Sequence, residues 1–292
     1  MEAKTALTGG PARPEELARA GWTVHRPRRP FGFADLRQLF EWRELLVFLA
    51  WRDVKIKHKQ LLLGMGWTLL QPVIQMALFS LILGRFAGLP SEGGLPYPVL
   101  AFSGLLAWQH FATSVGRCAV SLVTNQALLS KIAFPRVVLP AAAVLPGLID
   151  FLAASTGLAA LMLWYGIAPR WTVVFLPAFL GLAVVTAFAV GLWMSALSVR
   201  YRDVRFLFPF VLQVWMLATP VGYSVEIVPA GRIRTLYELN PLAVVVRGFR
   251  WALFGTAPPG PTHLAAVLLV GLVLMAGLAY FRRVDRTLAD VI

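Results

Sequence analysis

"WRDVKIKHKQLLLGMGWTLLQP", residues 51–72, decides the fold. Its first half crowds four basic residues, Arg52, Lys55, Lys57 and Lys59, and from Leu61 the chain turns apolar. Such a junction marks the edge of a medium other than water. The rest of the chain says which. Of 292 residues, 58% are hydrophobic and only 14% charged, where a soluble domain carries about 25% charged residues. A helix crossing a bilayer needs ~20 mostly apolar residues to span about 30 Å of hydrocarbon. Several stretches meet that need, so an all-α, polytopic integral membrane protein is expected.

Residues 1–34, rich in Pro, Arg, Gly and Ala, read as an irregular cytoplasmic tail. Over 35–60 Leu39, Trp42, Leu45, Leu46 and Leu49 recur at helical spacing, which predicts an amphipathic helix along the membrane surface, followed by the basic connector. The transmembrane domain then occupies 61–292. Six spans are predicted, at about 65–84, 98–116, 137–165, 171–198, 205–222 and 264–281. The segment between the last two, 223–262, holds Pro229, Asn240–Pro241 and "TAPPGP". Its moderate hydrophobicity predicts short or re-entrant helices on the outer side.

Orientation follows from lysine and arginine placement. With the N-terminus inside, 21 of the 27 basic residues fall on the inner side. Both termini are therefore expected in the cytoplasm, in the cytoplasmic membrane. The net charge of +13 then serves headgroups and orientation, and no nucleic-acid partner is expected. The one cysteine, Cys118, excludes an internal disulfide. No cleavable leader is read at the start, so the first span is expected to direct insertion.

The opening stretch resembles a known family, the membrane subunits of ABC-2 type exporters, in the branch of O-antigen (lipopolysaccharide), teichoic acid and capsule permeases. That family's pattern reads approximately W-R-D-x-K-x-R-Y-K-x-x-x-L-G-x-x-W-x-x-x-x-P. Trp51, Arg52, Asp53, Lys55, Lys59, Leu63, Gly64, Trp67 and Pro72 match it, while Lys57–His58 replaces the Arg-Tyr pair. Further matches follow in order: "PYPVLAFSGLLAWQHF", "NQALLSKIAFPRVVLP", "VRYRDV", "ATPVGYS" and "LNPLAVVVRGFR". The resemblance covers residues 40–290. It implies a homodimer working with separate ATPase subunits, which carry the ATP and Mg, to export lipid-linked cell-surface polysaccharide.

The residues themselves fit a subunit without its own chemistry. There is no G-x-x-x-x-G-K-[ST] loop, no H-E-x-x-H and no G-x-S-x-G, so no P-loop hydrolysis of ATP is expected here. No catalytic residue, metal site or cofactor of its own is expected, and the scattered His25, His58, His110 and His263 read as non-catalytic. Asp150, deep in the third span, is expected to pair with an arginine or a backbone donor from a neighbouring helix.

Three sets of site residues are proposed at this level. Arg43, Glu44, Lys131, Phe134 and Arg136 would dock the ATPase. Arg52, Lys55 and Lys59 would hold either a pyrophosphate-linked lipid carrier or ordinary membrane-lipid headgroups. Trp67, Phe79, Trp108, Phe111, Phe208 and Trp215 would either line a polymer path or face lipid. Two rival functions stay open, an ABC-2 exporter of drugs or small lipids and a membrane-embedded glycosyl or lipid transferase. The scarcity of acidic residues at either face argues against the second.

Overall fold

The computed structural model describes residues 39–59, 66–229 and 231–287, and these are helical almost throughout, with no strand among them. The tail expected at 1–34, the start of the surface helix, and Leu63–Gly64 of the opening motif lie outside the described residues.

Helix α1, Arg43–Lys59, leads in. Its Leu49, Ala50 and Val54 are buried, and Leu39, Trp42, Leu45 and Leu46 pack on Leu122, Val137, Leu139 and Phe281. The residues expected to form the apolar face of an amphipathic helix thus meet the bundle together. Val47, Phe48 and Trp51 stand exposed on another flank, so α1 is apolar on two sides. One is claimed by the bundle; the other is left for lipid or a partner.

Helix α2, Gly66–Phe79, runs into a π-helical stretch, Ser80–Phe86. The chain returns in α3, Tyr97–Thr124. After the short α4, Gln126–Leu129, a connection leads to α5, Val138–Val144, and α6, Pro146–Trp164. A 3₁₀ turn, Trp171–Phe175, opens α7, Leu176–Arg200, and α8, Val204–Leu217, follows. The stretch between α8 and the last helix contains α9, Arg232–Glu238, and α10, Pro241–Phe254. Helix α11, Thr262–Thr287, closes the described chain.

Among the described residues, four helices are long and apolar enough to cross a bilayer: Gly66–Phe86, Val138–Trp164, Trp171–Arg200 and Thr262–Asp285. They coincide with the first, third, fourth and sixth expected spans. The other two differ for physical reasons. Helix α3 has the length, at 28 residues, but carries Ser103, Gln109, His110, Thr113, Ser114 and Arg117. It sits at the centre, against α2, α5, α6, α7 and α10, where protein rather than lipid surrounds many of those polar groups. Helix α8 has only 14 residues, about 21 Å at 1.5 Å per residue, and stops short of Pro220.

The 221–254 stretch is held by one guanidinium. Arg250 on α10 is 1% exposed. It donates to Glu92 Oε2 at 3.2 Å and to the carbonyls of Tyr223 at 3.1 Å, Val221 at 2.9 Å and Leu100 at 3.3 Å. The Tyr97 hydroxyl donates to the Gly222 carbonyl beside it. Asn240 accepts from the Leu242 N–H, capping α10, and accepts from Trp215 Nε1 while its amide nitrogen donates to the Ala218 carbonyl. Burial, and then the hydrogen bond with Tyr237, push the Tyr223 phenol above its ordinary value. It stays neutral and donates to the Leu217 carbonyl at 2.7 Å.

Gly104 is where α3 meets this segment backbone to backbone, since a Cβ there would run into the Val221 carbonyl. Gly104→Val is therefore expected to cost at least the 1–3 kcal/mol of ordinary overpacking. Loss of the monodisperse peak in size-exclusion chromatography would show it. Gly181→Ala, where a Cβ meets nothing within 4 Å, should leave that peak intact.

Candidate functional site

Helix α1 divides the basic run by its own geometry. Positions 52, 55 and 59 share one flank at i, i+3 and i+7 spacing, and position 57 points elsewhere. Arg52, Lys55 and Lys59 accordingly gather with Phe48, Trp51 and Ile56 around a recess of about 320 Å³. The Lys55 ammonium lies 5.7 Å from the centroid of the Trp51 ring. Arg52 is also engaged structurally, donating to Asp53 and to Asn125 Oδ1, each at 2.8 Å. It ties α1 to the end of α3.

Lys57 reaches a larger cleft of about 560 Å³ between α2, α3 and α6. There its Nζ meets Asp150 Oδ1 at 2.6 Å, and Arg117 NH1 meets Asp150 Oδ2 at 3.2 Å. Asp150 thus gains the arginine partner expected from a neighbouring helix, and a lysine besides. His110, 2% exposed, and Phe151 stand alongside, their rings 6.2 Å apart edge to face. The cleft continues past Gln71, Gln109 and Thr113. The Gln109 amide donates to Gln75 Oε1 at 2.9 Å, bridging α3 to α2.

This polar lane was not among the sequence candidates, although its signal was present. Gln109, Thr113 and Arg117 recur at i, i+4 and i+8, and Gln71 and Gln75 at i and i+4, which puts each set on one helix face. Gln71 and Thr113 are exposed. Gln75 lies about 14 Å along α2. Polar side chains at that depth face protein or water, because hydrocarbon satisfies none of their hydrogen bonds.

The aromatic candidates fall differently. Trp67 does border the cleft and is half-exposed. Trp108, Phe111 and Phe208 are buried in one core cluster, and Phe79 and Trp215 pack against it. Phe111 lies edge-on to Trp215 at 5.1 Å and tilted to Trp108 at 5.6 Å. In this arrangement these rings hold α2, α3 and α8 together, with Phe79 and Trp215 only partly buried. Within one copy of the chain, Trp67 is the aromatic candidate that borders the cleft.

The docking candidates also separate. Arg43, Glu44 and Lys131 are exposed, with the Arg43 guanidinium over the Phe40 ring at 5.1 Å. Phe134 packs on the core beside α1. Arg136 pairs with Asp285 at 3.2 Å and donates to its carbonyl at 3.0 Å, fastening the 130–137 connection to α11. Both partners are partly solvated, so Arg136→Ala should cost only about 0.5 kcal/mol, read as a thermal-midpoint shift of a degree or two.

The bundle of apolar helices thus carries a polar lane along its central helix. Residues 44–254 match the ABC-2 type transporter family, and the chain belongs to it. It is a multi-pass membrane protein and a transport subunit. It is 30% identical over 241 residues to the O-antigen export system permease protein RfbA of Myxococcus xanthus, covering 82% of this chain and 92% of that one. A protein of the same name from Klebsiella pneumoniae is 25% identical over 252 residues, covering 85% and 95%. The family read from the motifs is thereby borne out.

Proposed function

We propose that this chain is the membrane-spanning subunit of an ATP-driven exporter that moves lipid-linked cell-surface polysaccharide across the cytoplasmic membrane. The name shared by its relatives, O-antigen export permease, supports the substrate class. The observation that carries the reading is the polar lane from Arg117 through Thr113 to the Gln109–Gln75 pair, with Trp67 at its side. A polysaccharide needs a wettable route with hydrogen-bonding groups and an aromatic face that grips sugar C–H groups weakly. The exposed Gln71 amide and Thr113 hydroxyl, with the part-buried Gln109–Gln75 pair between α3 and α2, suit a water-filled passage closed by a second copy of the chain. Two-fold pairing is the commonest way for like subunits to associate.

In this reading both termini are cytoplasmic and six segments cross. Helix α3 is the shielded second span, α8 the fifth, and α9 with α10 a re-entrant outer pair. ATP and Mg belong to a separate nucleotide-binding subunit, docked on exposed Arg43, Glu44 and Lys131 beside α1 and the 130–137 connection. Arg136 acts from behind, holding that connection to α11. The recess at Arg52, Lys55 and Lys59 meets anionic headgroups at the membrane edge.

ATP hydrolysis by the co-purified complex in vesicles, with and without lipid-linked polysaccharide, tests this. The chain alone should be inactive, and the complex should hydrolyse ATP severalfold faster with the polysaccharide present. Lys131→Glu should cut recovery of the ATPase about fivefold, and Arg136→Ala should not. Hydrolysis that ignores polysaccharide and answers to small amphiphiles would contradict the assignment and favour a drug or small-lipid exporter.

A further inference from the structure

We propose that the Lys57–Asp150–Arg117 cluster is an exchange site for a lipid-borne diphosphate, in which the Asp150 carboxylate holds the place the diphosphate takes. This rests on the exporter reading and gives it a substrate-recognition site, distinct from the Arg52, Lys55 and Lys59 recess on the other flank of α1.

Donors outnumber acceptors at this point. Lys57 and Arg117 arrive from separate helices onto one carboxylate, at 2.6 and 3.2 Å. Among the described residues, Arg117 NH2 has no hydrogen-bond partner. His110 is almost wholly buried and borders the cleft. A Cβ placed on Gly147 would meet Ser114 Oγ, His110 Nδ1 and Arg117 NH2. The absence of a side chain at 147 thus keeps three polar groups turned to one spot. A site with two cations, spare N–H groups and a single carboxylate accepts a ligand that brings more charge and more oxygens.

The carboxylate sets the selectivity. Asp150 is tethered, so it competes with any incoming anion at a high effective concentration. A phosphodiester headgroup carries one negative charge, as Asp150 does, and gains little by displacing it. A diphosphate carries more charge and two separated sets of oxygens. It can reach Lys57 and Arg117 at once and leave an oxygen for Arg117 NH2, through charge-assisted bonds stronger than neutral ones. Ordinary membrane lipid is thereby refused. The cleft of about 560 Å³ leaves room for the first sugars past Gln71 and Trp67.

The test uses the full chain in phosphatidylcholine nanodiscs, with farnesyl diphosphate, inorganic pyrophosphate and phosphatidylglycerol as probes and calorimetry as readout. Farnesyl diphosphate should bind the native chain, and phosphatidylglycerol should not displace it. Lys57→Gln and Arg117→Gln should each weaken binding at least tenfold. Asp150→Asn should tighten it about tenfold and admit phosphatidylglycerol as a competitor. Pyrophosphate should bind at the same site more weakly; equal affinity would overturn the lipid-borne assignment in favour of a free phosphate compound. Displacement by phosphatidylglycerol from the native chain, or unchanged binding in Lys57→Gln, would overturn the site. Lys57 lies at the partly exposed end of α1, so that variant decides the matter even where Asp150→Asn fails to fold. A chain that couples to its ATPase but binds no diphosphate loses this site alone. One that binds diphosphate but assembles with no ATPase loses the exporter reading.

Discussion

Arg250→Met is expected to destabilise the protein more than any other single substitution of a charged residue. The guanidinium is buried together with Glu92, and its four hydrogen bonds gather three stretches of chain: the loop before α3, the first turn of α3 and the 221–223 segment. Methionine fills much of the volume but leaves the Glu92 carboxylate and several carbonyls unpaired away from water. Breaking a buried pair from one side costs about 3–5 kcal/mol. At 2–4 °C per kcal/mol for a chain of this size, the thermal midpoint should fall by roughly 10 °C. Glu92→Gln keeps an acceptor and should cost less. Arg234→Met, removing a looser pair with Glu238 at 3.5 Å on α9, is the control and should move the midpoint by about 2 °C or less. A fall for Arg250→Met no larger than that control would refute the keystone role.

The second large effect is on transport. Replacing Gln75 and Gln109 together with leucine should reduce polysaccharide accumulation in reconstituted vesicles at least tenfold while the protein stays folded. The two amides bond each other at 2.9 Å across α2 and α3. As mere structural glue, such a bond within a membrane is worth about 0.6–2 kcal/mol. Losing it would lower the thermal midpoint, and transport would fall only in step with folded protein. As part of a wet passage, the amides serve passing hydroxyls. Two leucines would then dry the lane and leave stability unchanged or raised. The direction of the midpoint therefore separates the two roles.

Much of this architecture was legible because membrane thickness imposes length and apolarity on the chain. Four spans fall within a few residues of where hydropathy places them, and the Pro–Gly-rich stretch 223–262 does break into short helices. Asp150 was legible as a residue in need of a partner, since a carboxylate in an apolar span demands one. Which cations would answer was not, because Lys57 and Arg117 lie far from it in sequence and only the packing of α1 and α3 against α6 brings them near. The aromatic candidates were ambiguous for a related reason. Composition shows that Trp108 and Phe111 are large and apolar, and core, lipid and passage all use such side chains. The polar ladder Gln109–Thr113–Arg117 was the better guide, since hydrocarbon excludes what core or water accepts. In helix α1 regular spacing marked the apolar face that meets the bundle, and left the second apolar flank at Val47, Phe48 and Trp51 unread.

Thiol labelling tests most directly that the α2–α3 lane is the wet route. The single native cysteine, Cys118, is fully buried, and buried thiols are inert to soluble reagents, so the native chain supplies a silent background. Gln71→Cys, Gln109→Cys and Thr113→Cys should react with a charged, water-soluble maleimide in the reconstituted complex, and lipid-linked polysaccharide should protect them. Leu268→Cys and Leu272→Cys, on the exposed apolar face of α11, should not react. Labelling confined to the lane and blocked by substrate is the predicted result. A lane as unreactive as the α11 face, or one that labels equally with polysaccharide present, would contradict the account.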